Sequence, residues 1–71
     1  MAHPVTKGVY AGKVKVISDG FVSVKRHGKV VAYPSNLLIN GYTPKVGDAV
    51  RLHWKSIMGG QSSIFLISPA Q

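Results

Sequence analysis

An all-β fold, a small curled barrel of five strands, is what this sequence predicts, and three observations carry the prediction. Its apolar residues come in short β-branched runs separated by turn residues, most densely from Gly12 to Pro34 (GKVKVISDGFVSVKRHGKVVAYP). Polar and apolar residues alternate with period two along Lys13 to Val16, Val22 to Lys25 and Val50 to Lys55, as half-buried strands require. Asp19-Gly20 separates two of the runs, and Asp-Gly marks a hairpin because the tight turn needs a positive φ that glycine adopts without steric cost.

Met1 to Lys7 is expected to be a loose N-terminal arm, since His3-Pro4 disfavours helix and only Val5 holds the segment down. The first strand is expected from about Val9 to Ser18, with Gly12 as a bulge or sharp bend. Lys13 and Lys15 then take one face, Val14 and Val16 the other. The second strand, about Gly20 to Arg26, turns Val22 and Val24 inward and Phe21, Ser23 and Lys25 outward. The third, Lys29 to Tyr33, ends at Pro34, which cannot donate to a ladder.

Pro34 to Gly41 (PSNLLING) has too few apolar residues for a stable helix. It suits one helical turn around Leu37, Leu38 and Ile39, capped by Ser35 or Asn36 and plugging an open end of the barrel. Val46-Gly47-Asp48 then launches a fourth strand, Ala49 to Lys55, with Val50, Leu52 and Trp54 inward and Arg51, His53 and Lys55 outward. Met58-Gly59-Gly60-Gln61 makes the last turn. The Ile64-Phe65-Leu66-Ile67 run of a fifth strand, Ser63 to Ser68, reads as buried on both faces. One domain is thus expected over residues 8–68, with a tail at 69–71. The strand pattern fits SH3-like and OB-type barrels alike.

A chain of 71 residues has a small core, because a domain of about 60 residues buries only about 60% of the surface its unfolded chain exposes. The sequence has no cysteine, which excludes disulfides, thiolate metal sites and thiol nucleophiles. It holds no apolar stretch near the roughly 20 residues a membrane helix needs. The start shows no charged segment followed by an apolar run, so a cytoplasmic protein without a membrane partner is expected. Nine Lys and Arg stand against Asp19 and Asp48 alone, a formal charge of +7. That imbalance draws a small domain to polyanions, chiefly nucleic acid.

The outward strand positions place Lys13, Lys15, Lys25, Arg51 and Lys55 on one basic surface, while Arg26 and Lys29 crowd a hairpin tip with His27. Lysines two apart on a strand are spaced about 6.6 Å, from a rise of about 3.3 Å per residue, which suits a phosphate backbone. Each phosphate contact displaces condensed counterions, so such binding weakens steeply with salt. Phe21 shares the parity of Lys25 and offers a ring on which a base stacks. Outward lysines also guard edge strands, the competing explanation for the same pattern. His3, His27 and His53 lie far apart with no cysteine or paired carboxylates to complete a metal site. Both aspartates sit in turn motifs, and Gly59-Gly60 lacks the lysine and helix of a phosphate loop. No catalytic residue, metal or cofactor is therefore expected. The expected function is a non-enzymatic nucleic-acid-binding domain, for DNA or RNA. The alternative is a protein-interaction or assembly module, self-associating or docking a protein partner through an edge strand or an apolar patch around Tyr42 and Trp54.

The run GKVKVISDGFVSVKRHGKVVAYPSNLL, followed by VGDAVRL, resembles the KfrB-type domain of conjugative plasmids over about Gly8 to Lys55. The shared pattern is Gly-x-Val, an Asp-Gly hairpin with Phe-Val, a Val-Val strand, a short leucine turn and Val-Gly-Asp. The resemblance implies a small β domain in a plasmid or mobile-element setting. The same Gly-x-Val, Phe-Val and Val-Gly-Asp are similar to S1 and related OB-fold RNA-binding modules, whose aromatic surface is denser than Phe21 and Tyr33. Val30-Val31-Ala32-Tyr33-Pro34 is similar to the Val-Gln-Ile-Tyr-Pro motif of plasmid-borne type II dihydrofolate reductases, SH3-like barrels that work as tetramers. With Val31 in place of the glutamine, this last resemblance implies the oligomeric small barrel without the reductase chemistry.

Overall fold

The structure, a computed structural model, describes residues 6–56 and 61–70. Five antiparallel strands form one sheet: β1 (Lys7–Ser18), β2 (Phe21–Arg26), β3 (Lys29–Pro34), β4 (Ala49–Ser56) and β5 (Ser62–Pro69). Their order is β3-β2-β1-β4-β5. Lys7, expected in the N-terminal arm, already belongs to β1: it pairs with Lys55, and the Thr6 carbonyl accepts the Ser56 N–H at 2.7 Å. The expected turn at Met58 to Gln61 lies outside the described residues except for Gln61.

Two tight turns fold the meander. Ser18 pairs with Phe21 across Asp19-Gly20, with Gly20 at φ 81°. Arg26 pairs with Lys29 across His27-Gly28, where both turn residues have positive φ (51° and 79°). That is the mirror-image turn whose twist matches the twist of the flanking strands.

β1 serves two half-sheets. Residues 7–13 pair with β4 and residues 13–18 with β2, so Lys13 is paired with both Ala49 and Lys25. The strand must coil where it changes partners, and Gly12 allows it. A Cβ there would lie 2.5 Å from Val24 Cγ1 and 3.3 Å from the Lys25 carbonyl oxygen. Gly12 is not itself a bulge, as the sequence allowed. The register shift falls at Lys15: Val14 pairs with Val24, and Val16 with Ser23. One extra residue reverses the alternation, so Val16, expected inward, is 52% exposed.

The same device corrects β5. His53 pairs with Leu66 and Trp54 with Ile64, which leaves Phe65 as the extra residue. The run is therefore not buried on both faces. Ile67 is buried and Ile64 and Leu66 are half-buried, but Phe65 is 43% exposed.

The sheet curls into a half-barrel and does not close, because its edge strands β3 and β5 are not paired with each other. The connector after β3 partly spans the gap. Its 3₁₀ turn, Ser35–Leu37, has Pro34 at the N-cap with no side-chain bond, in place of the expected Ser or Asn cap. Ser35 N–H donates to the Gly20 carbonyl at 3.0 Å. Leu38 then forms a parallel bridge with Ile67, and Ile39 N–H donates to the Ile67 carbonyl at 2.8 Å.

Val14, Val22, Val24, Tyr33, Val50, Leu52 and Ile67 make the core on the concave side, with Tyr10, Leu37, Leu38, Tyr42 and Ile64 packed against it. Trp54 takes the inner face but is only half-buried. Its ring stacks on Tyr10 at 5.8 Å and lies over Gly8, where a Cβ would be 2.8 Å from the indole.

Candidate nucleic-acid interface

The convex face carries the side chains that alternate with the core. Val14 and Val24 are buried as partners, so the neighbouring partners Lys13 and Lys25 project together on the opposite side. Gly8 and Trp54 are partners on the inner side, so Lys7 and Lys55, one step along, project outward as a second opposed pair. Arg51, opposite Ala11, stands between these pairs on β4. Lys15, the bulge residue, is exposed beside them.

Directly opposed like charges on neighbouring strands are destabilising, and little in the chain offsets them. Of its two carboxylates, Asp48 is already engaged: its Oδ2 accepts the Tyr42 hydroxyl at 2.9 Å and the Lys45 N–H at 2.9 Å. This is the structural turn role expected of it. Burial, then the hydrogen bond to Asp48 and its charge, push the Tyr42 hydroxyl up to about 12. Asp19 is the chain's other acidic side chain, against nine Lys and Arg.

Not every expected residue joins that surface. Phe21 does, 51% exposed and paired with Ser18 and Pro34. It lies four residues along β2 from Lys25, about 13 Å at strand rise. Arg26 and Lys29 do not. As partners they follow Val24 and Val31 on the inner-face parity. The half-buried Arg26 sets its guanidinium 4.2 Å over the Tyr10 ring, with His27 edge-on to the same ring at 6.0 Å. These groups cap the stacked Tyr10 and Trp54.

Two residues of the outer face escape a reading of the sequence. Lys7 sits in what reads as the arm, although it continues the parity of Val9, Ala11 and Lys13. Phe65 is turned out by a bulge that leaves no mark in the sequence. Among the described residues no three His, Asp or Glu side chains gather as a metal site, and no helix is long and apolar enough to cross a membrane. No family model matches the chain, and neither a curated protein nor a solved structure matches it.

Proposed function

We propose that the chain is a non-enzymatic nucleic-acid-binding domain that grips the phosphate backbone, in DNA or RNA, with the outer face of β1, β2 and β4. The observation that carries this reading is the pair of opposed lysine pairs, Lys13 with Lys25 and Lys7 with Lys55, flanking Arg51 on one face. The arrangement costs folding free energy and supplies several cations at strand spacing. A polyanion relieves the repulsion that the chain's own carboxylates leave in place.

The barrel type that goes with this proposal is OB rather than SH3-like. A β1-β2-β3 meander, a helical turn before β4, β1 paired with β4, and a parallel bridge from Leu38, in the connector after the 3₁₀ turn, to Ile67 of β5 support the partly open five-stranded barrel that binds oligonucleotides over its second and third strands. The KfrB-like pattern supports a plasmid or mobile-element setting in the cytoplasm. A second reading, assembly through an edge strand, has one observation in its favour: β3 is a sheet edge and its Val30 and Val31 are exposed.

Titration of labelled single- and double-stranded DNA and RNA at low and physiological salt, followed by fluorescence anisotropy, separates the two. Binding whose logarithm falls linearly with log salt, by about 0.7–0.9 per phosphate contacted, supports the proposal. A stable dimer on a sizing column that added nucleic acid does not shift would favour assembly instead.

A further inference from the structure

We infer that the cleft beside Lys7 and Lys55 is a base-stacking subsite for single-stranded nucleic acid, with Phe65 as its platform. This rests on the nucleic-acid reading and goes beyond it in naming the form of the ligand and a contact other than phosphate.

The cleft has a volume of about 300 Å³ and is lined by Lys7, Gly8, Val9, His53, Trp54 and Phe65. Phe65 faces it because it is the bulge residue of β5, unpaired between Ile64 and Leu66. Bulges re-aim side chains, and here the effect is to take a phenyl ring out of the core run and leave it 43% exposed. The neighbours hold the site's edges. The His53 ring lies 6.3 Å from Phe65 at 57°, with its Nε2 2.8 Å from Ser68 Oγ. Lys55 Nζ lies 5.4 Å from the centre of the Phe65 ring, and Lys7 is its cross-strand partner.

Both the exposed phenyl and the opposed lysines are unfavourable in the isolated domain, and they occur at the same place. A ligand that relieves both has a flat π face for the ring and an anion for the ammonium groups. A nucleotide has both. In a duplex the base faces are covered by their stacked neighbours, so only an unpaired base reaches Phe65.

The test compares a labelled oligothymidine, an abasic oligomer of equal length and a hairpin duplex by anisotropy at one salt concentration, for the native chain, Phe65→Ala and Phe65→Leu. The native chain is expected to bind oligothymidine more tightly than the abasic oligomer by about 5- to 150-fold, the range that base–aromatic stacking carries. Both variants are expected to lose that preference and keep the abasic affinity. The leucine variant retains apolar bulk, so its loss assigns the effect to the ring. Equal binding of both oligomers, unchanged in the variants, would overturn the subsite while the phosphate reading stands. If no oligomer binds at physiological salt, the underlying reading falls as well. Phe65-dependent binding to phosphatidylserine vesicles, with the oligomers unbound, would overturn the inference in favour of a lipid surface.

Discussion

Tyr42 and Asp48 show how single side chains hold the entry to β4. The Asp48 carboxylate takes two donors within the turn, while its backbone carbonyl accepts the Val14 N–H at 2.9 Å and fastens the turn to β1. Tyr42→Phe removes one bond to a charged acceptor. The expected cost is about 1 kcal/mol, below the usual range for charged partners because the site is partly solvated. The pH dependence follows from the raised hydroxyl. A tyrosine ordinarily ionises near 10, and here it is pushed up to about 12. Its contribution is therefore complete below pH 10 and is lost as pH rises from 10 towards 12. Urea unfolding followed by Trp54 fluorescence should show the gap between the native chain and Tyr42→Phe shrinking across that window. A gap that widens would contradict the sign. Gly12→Ala tests the close approach at the bend of β1. With its Cβ 2.5 Å from Val24 Cγ1, it should lower stability by about 1–3 kcal/mol in the same assay.

Within the strands, the two bulges decide which side chains face the core and which face the convex side. Val14 and Val16 have the same identity and the same parity in the sequence, yet Val14 is fully buried and Val16 is exposed. Val14→Ala is expected to cost about 2 kcal/mol, and Val16→Ala no more than about 0.5 kcal/mol. Equal losses in denaturant unfolding would mean that the register shift at Lys15 is absent.

The same comparison shows what the sequence made legible. Period-two alternation and the glycine turns placed all five strands, because burial on one face and positive φ each select residue types. A bulge inserts one residue without selecting any, so alternation alone places Val16 inward and the apolar run of β5 reads as buried on both faces, whereas Val16 and Phe65 are exposed. Arg26 is a different case. Its parity with Val22 and Val24 already pointed inward, but clustering of charge at the hairpin tip grouped it with the outer lysines. Lys7 was hidden because nothing before Gly8 shows that the strand extends that far.

At the scale of the whole molecule, a small half-barrel with a formal charge of +7 separates its two sides. The concave side is occupied by the core and the Arg26–Tyr10–Trp54 stack, whereas the convex side presents the opposed lysine pairs and Arg51. If net charge alone attracted nucleic acid, removing any cations would weaken binding equally. If the convex face is the binding surface, position matters.

The direct measurement is the salt dependence of nucleic-acid affinity for two variants, Lys13→Ala/Lys25→Ala/Arg51→Ala and Arg26→Ala/Lys29→Ala. The outer-face triple should flatten the slope of log affinity against log salt by about 2–3 and weaken binding alike across unrelated sequences. The second variant should leave the slope close to that of the native chain. A triple variant with the native slope and affinity, or two variants with the same loss per charge removed, would contradict the convex face as the binding surface.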